Sequence, residues 1–136
     1  MKKALIFVLV LLVAFTAYAA PKSINLLNGA TATGAGPASI INDPGFKDHT
    51  VMMYYTDADS GISAVVVELQ GCIIDEALSG CKWFTLAEHT FTSTQITNKQ
   101  AMFHVVDKLV TSVRLNITTL TGSGAGDAVY GEYYGR

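Results

Sequence analysis

The stretch from Ile62 to Leu86 limits most sharply what this chain can fold into. It holds an alternating segment, ISAVVVELQG, then a loop bracketed by two cysteines, CIIDEALSGC, then a second segment, KWFTLA. Val65, Val67 and Leu69 fall on one side of an extended chain, and Ala64, Val66, Glu68 and Gln70 on the other, which is the period-two pattern of a strand. Two such strands joined by a short loop pair antiparallel, so the stretch predicts a long β-hairpin with a stapled tip. Cys72 and Cys81 are the only cysteines, and the only tryptophan, Trp83, follows two residues later. Trp83 is expected in or beside the core.

The staple depends on an oxidising compartment, and the N-terminus supplies the expectation of one. Lys2 and Lys3 precede an unbroken apolar run from Ala4 to Phe15, and Ala17-Tyr18-Ala19 forms a small-x-small cleavage site. This is the layout of a secretory signal peptide, residues 1–19, removed to leave a single domain over residues 20–136. The apolar run is short for a membrane span, which needs about 20 residues. No cysteine follows the cleavage site, as a lipoprotein would require, and the leader lacks a type IV pilin start. In an exported chain two cysteines predict one disulfide, Cys72–Cys81. The expected location is the periplasm, the cell surface or the extracellular space.

Without the leader, seven Lys and Arg stand against eleven Asp and Glu, a formal charge near −4. A mildly acidic domain with no basic stripe has no electrostatic footprint for nucleic acid or for an anionic membrane surface.

The remaining chain reads as short apolar segments divided by turns. Pro21 to Leu27 reads as a short extended segment, with Ile24, Leu26 and Leu27 apolar. Asn28 to Ser39 is rich in Gly, Ala and Thr, with neither charge nor bulk, and predicts a loop. Strands are expected at 39–41, at HTVMMYYT (49–56), at 62–70, at 82–87, at 88–94, at 101–106, at TSVRLNITTL (111–120) and at 128–134. The segment HTVMMYYT is apolar on both sides and is expected to be covered on both over part of its length. The strand 111–120 alternates most cleanly, with Val113, Leu115 and Ile117 opposite Arg114, Asn116 and Thr118. The turns expected between them are Asn42-Asp43-Pro44-Gly45, Asp57 to Gly61, Asn98 to Gln100, Asp107-Lys108, and a glycine-rich hairpin loop at Thr121 to Asp127. No helix longer than one turn is expected. Eight or nine short strands predict an all-β antiparallel sandwich, jelly-roll-like, with an immunoglobulin-like sandwich or a small barrel as alternatives.

Chemistry-bearing groupings are absent. Asp57 and Asp59 resemble the opening of a calcium loop, but the further oxygens and the closing Glu are missing. His49, His89 and His104 are scattered, without the spacing of a metal site. No serine sits in a nucleophile elbow, and the cysteines are spent on the disulfide. No catalytic residue, metal or cofactor is expected. The sequon Asn116-Ile117-Thr118 falls inside a strand, where chance is the better explanation. Two features point to contact instead. Ile73, Ile74 and Leu78 in the cysteine loop are apolar at an exposed tip. In the last strand Val129 and Tyr133 share one side, and Tyr130, Glu132 and Tyr134 the other, so one tyrosine face must look away from the core.

The segment MFHVVDKLVTSVRLNITTLTGSGAGDAVYGEYYGR, with its V-R-x-N-x-T strand, glycine-rich loop and tyrosine-rich end, resembles the C-terminal half of small β-sandwich proteins of tailed phages. Upstream, KDHTVMMYYTDADSGISAVVVELQG followed by WFTLAEHTF is similar to the core of the same family. The resemblance covers most of residues 24–136 and implies a virion structural or decoration part, without cofactor or catalytic residues. Two features depart from that pattern: the secretory leader, and the Cys72–Cys81 staple where the family has a short polar S-x-D-G tip. Together these observations lead to the expectation of a secreted, non-enzymatic structural or interaction module that self-associates. The alternative is a carbohydrate-binding module using exposed Tyr and Trp rings.

Overall fold

The period-two segments become strands because an extended chain sends alternate side chains to opposite faces, and each sheet must bury one of them. The computed structural model describes residues 22–41, 46–73 and 78–136. The leader at 1–19, the turn at 42–45 and Ile74 of the predicted contact tip therefore lie outside the described residues. In chain order the elements are β1 (Lys22–Ala30), β2 (Gly34–Ala35), β3 (Ser39–Ile40), β4 (His49–Thr56), β5 (Ala64–Cys72), β6 (Phe84–Thr90), α1 (Ser93–Asn98), β7 (Gln100–Val105), β8 (Ser112–Thr121) and β9 (Ala128–Gly135), with a 3-10 turn at Leu78–Gly80.

The strands form two antiparallel sheets. One has four strands in the order β1-β9-β4-β7; the other runs β2-β8-β5-β6, with β3 also paired to β8. Only β5 and β6 are a sequential hairpin. Apart from the β2–β3 link, which stays beside β8, every other connection crosses from one sheet to the other, which is the jelly-roll order. The predicted all-β sandwich is therefore present. The loops at Asp57–Gly61 and Thr121–Asp127, expected as hairpin turns, are crossovers between the sheets.

The core is built from inward faces. Val51, Met53 and Tyr55 of β4 and Val129 and Tyr133 of β9 meet Val65, Val67 and Leu69 of β5 and Val113, Leu115 and Ile117 of β8, all buried. Gly131 of β9 lets the sheets approach: a Cβ there would lie 2.5 Å from Leu115 Cδ1.

Three local expectations are corrected. The strand expected at 88–94 ends at Thr90, and α1 follows. The reason is a capping box: Thr92 Oγ1 accepts the Gln95 N–H at 3.3 Å, and Gln95 Oε1 accepts the Thr92 N–H at 3.0 Å. Asn28 to Ser39 is only partly a loop, because β1 extends to Ala30 and β2 pairs with β8. Trp83 is not in the core; it is half-buried just before β6, with the Arg114 guanidinium 4.5 Å from its ring centroid.

One polar pair sits inside the core. His49 and Tyr133 are fully buried. The Lys108 carbonyl can only accept, so His49 Nε2 carries the proton that meets it at 2.6 Å. Nδ1 is then an acceptor, and the Tyr133 hydroxyl donates to it at 2.8 Å. Both ring nitrogens are satisfied in the neutral form. Burial holds His49 below its ordinary value, against the opposing effect of the Lys108 hydrogen bond and the Asp48 charge. Burial likewise pushes the Tyr133 phenol up.

The folded state thus prefers neutral His49, while the unfolded chain protonates near 6.5. Stability contributed by this group is present above that pH and is lost as pH falls below it. The groups held low, Glu68 and Asp127, lose theirs only at more acidic pH. Urea unfolding at pH 7.5 and 5.5 should give a lower midpoint at 5.5, and equal midpoints would contradict the assignment. Tyr133→Phe strands a buried acceptor and should cost about 1–3 kcal/mol at pH 7.5.

Candidate functional site

Because β4 and β9 spend one face on the core, their other residues point outward from the four-stranded sheet. The register aligns them in rows. Thr50 lies between Tyr134 and His104, Met52 between Glu132 and Met102, and Tyr54 between Tyr130 and Gln100. Met52 is 47%, Tyr54 45% and Met102 64% exposed. The expectation that HTVMMYYT is covered on both sides over part of its length is therefore corrected: β4 is central in its sheet, yet Met52 and Tyr54 on its outer face are about half exposed. The Tyr54 and Tyr130 rings are stacked, with centroids 4.9 Å apart and planes 6° apart. The Tyr134 hydroxyl donates to Glu132 Oε2 at 2.8 Å. Thr50 Oγ1 and His104 Nδ1 are 2.8 Å apart. Glu132 is the one carboxylate in these rows.

The outer face of the other sheet has a different chemistry. Glu68 accepts hydrogen bonds from Asn116, Gln70 and Thr85, and Arg114 donates to Gln70 Oε1. These donors, the Asn116 amide first, hold the Glu68 carboxyl below its usual range. With Trp83 under Arg114, this face is a closed polar network that satisfies itself. The contrast singles out the outer face of the four-stranded sheet, where Met52, Tyr54 and Met102 stand exposed in adjoining rows, while Ile40 and Phe84 are single exposed residues on strands of the other sheet.

A groove of about 470 Å³ opens where that face meets α1, lined by Met52, Tyr54, Gln95, Asn98, Gln100 and Met102. Gln95 is committed through Oε1 to Thr92 and His89. Sequence reasoning missed this groove because it missed α1. The signal was the Thr92-x-x-Gln95 capping box.

The residues singled out in the sequence are divided between places. Tyr130 and Tyr134 lie half-buried on the outer face described above, while Tyr55 and Tyr133 belong to the core. Cys72 and Cys81 lie at disulfide distance, with Cα atoms 5.7 Å apart, at the far end of the β5–β6 hairpin. Beside them Ile73 is 62% exposed and Leu78 half-buried. The tip and the tyrosine face are thus two surfaces.

Asp57 and Asp59 do gain a third carboxylate from the fold, Asp127, with oxygens of all three within 4.8 Å of one another. One oxygen each of Asp57 and Asp59, and both oxygens of Asp127, accept backbone N–H groups. Buried Asp127 accepts the Gly124 N–H at 2.6 Å and the Ala58 N–H at 2.8 Å, which hold its carboxyl low. Asp57 and Asp59 both accept the Gly61 N–H, and Lys99 Nζ lies against the Asp57 carbonyl. The cluster ties the two crossover loops together. The histidines are not gathered: His49 is in the core, His89 stacks on Phe103 with centroids 5.2 Å apart, and His104 bonds Thr50.

No protein-family model matches the chain, and no curated protein matches it in sequence. Among solved structures, the crystal structure of SPBc2 prophage-derived protein YomS superposes with a TM-score of 0.50 at 11% identity, over 85% of this chain and 93% of that one. At that identity the likeness is one of fold: a prophage-derived protein shares this all-β architecture.

The cysteine pair closes a loop across a sequence separation of 9. By chain entropy such a link stabilises by about 2–3 kcal/mol. Replacing Cys72 and Cys81 together by serine should lower the chemical-denaturation stability by that amount under oxidising conditions. An unchanged midpoint would show that the link contributes nothing.

Proposed function

We propose that this chain is an exported, non-enzymatic structural or interaction module, related in architecture to phage proteins, that works by self-association. The observation that carries the reading is the outer face of the four-stranded sheet. There Met52, Met102 and Tyr54 stand in water beside Tyr130 and Tyr134, while the opposite outer face closes its polar groups on one another. A domain of charge near −4 without a basic stripe fits neither nucleic acid nor an anionic membrane. The leader and the cysteine pair support export. The prophage-derived neighbour supports a phage-like origin of the sandwich.

A second reading, carbohydrate binding, is favoured by the groove beside α1, where Tyr54 meets the amides of Asn98 and Gln100. Two observations weigh against a broad sugar platform. Tyr54 and Tyr130 stack on each other instead of lying side by side, and one face of Trp83 is taken by Arg114.

The chain, expressed with its own leader in a bacterial host and purified from the exported fraction, should show a weight-average mass that rises with concentration in multi-angle light scattering. A constant monomer mass together with retention on a polysaccharide column would replace the first reading by the second.

A further inference from the structure

The sandwich has four sheet edges, and three of them are protected. β1 breaks register twice, at Asn25/Leu27 and at Asn28/Ala30. β2 and β3 are two residues each, with Pro37 between them. β6 is offset by a bulge opposite Leu69/Gln70 and carries exposed Glu88. Bulges, short pieces, proline and charge are how proteins blunt an edge against pairing with another chain. β7 has none of these. Its six residues, QAMFHV, pair with β4 without a register break and include no Gly, Pro, Lys, Arg, Asp or Glu. Among the described residues no strand pairs with it on its other side. Met102, at its middle, is 64% exposed, and Val106, just past its end, is 50% exposed.

We infer that β7 is the assembly edge of this protein, and that its occupant is β7 of a second copy, paired antiparallel about a two-fold axis. This rests on the self-association proposed above and specifies how the copies meet. An incoming strand must match both faces of the sheet it extends. On the inner side stand Ala101, Phe103 and Val105, buried or half-buried; on the outer side stand Gln100, Met102 and His104, all exposed. A second β7 carries the same alternation. In an antiparallel two-fold pair, facing residues lie on the same side of the sheet, so the axis must pass through a residue and not between two.

Centred on Met102, the pairing sets Met102 against its own copy, Gln100 against His104 of the partner subunit, and Ala101 against Phe103 of the partner subunit. No Lys, Arg, Asp or Glu is opposed. The product is one continuous eight-stranded sheet, within the ordinary size range. It carries the Met and Tyr faces of both copies side by side on one surface. A closed two-fold contact of this kind stops at the dimer.

The test compares two exposed methionines that neighbour each other in the same row. Met102→Lys places two ammonium groups opposite each other across the axis; Met52→Lys puts the same charge one strand inward, on the face but off the edge. By sedimentation equilibrium, with folding checked by circular dichroism, Met102→Lys should weaken the dimer about tenfold or more. Met52→Lys should leave it within about twofold. Met102→Cys should close an intersubunit disulfide under mild oxidation, and Thr118→Cys, exposed on the other sheet, should not. If both lysine variants weaken association equally, or neither does, edge pairing is overturned while self-association stands. If the unmodified chain stays monomeric up to about 1 mM, a concentration that still populates very weak complexes, both fall.

Discussion

The inward faces of β4 and β9 bury against those of β5 and β8, and this packing decides where the other side chains of these strands must go. A strand has only two faces. Once Val51, Met53, Tyr55, Val129 and Tyr133 are in the core, Met52, Tyr54, Tyr130 and Tyr134 have no place but the surface. The exposed apolar face follows from the same alternation that builds the core. Gly131 tightens the arrangement by letting Leu115 come against the β9 backbone. Shifting β9 by one residue would exchange its two faces and put Glu132 in the core.

Much of this was legible before the fold was known. The alternation in 62–70 and 111–120 named the inner residues of β5 and β8 correctly, because those strands lie at the centre of their sheet and bury one clean face. The division of Val129 and Tyr133 from Tyr130, Glu132 and Tyr134 was legible for the same reason. What a single segment cannot carry is its partner. The loops at 57–61 and 121–127 have hairpin chemistry but join different sheets, and Asp127 reaches Ala58 only because they do. HTVMMYYT, apolar on both sides, suggested cover on both. The structure leaves its outer face open, since apolar composition cannot distinguish a covered strand from one awaiting a partner. α1 was hidden by β-prone threonines and betrayed only by its capping box. Trp83 was expected near the core on hydrophobicity alone, and its stacking with Arg114 depends on a strand some thirty residues away.

The likeness to a prophage-derived protein is one of fold, two antiparallel sheets packed face to face. The cysteine pair ties off the far end of the one sequential hairpin, where the strands leave the sheet. The buried His49–Tyr133 pair serves the fold at neutral pH without needing a charge. The outer face of the four-stranded sheet and its β7 edge adjoin at Met102, which is 64% exposed.

Amide hydrogen exchange tests that junction most directly, because it reads the β7 backbone itself. Measured at a low and a high protein concentration, protection across Gln100–Val105 should rise with concentration, while the edges at β1 and β6 exchange at unchanged rates. Protection of β7 that is the same at both concentrations in a sample that associates would contradict the account.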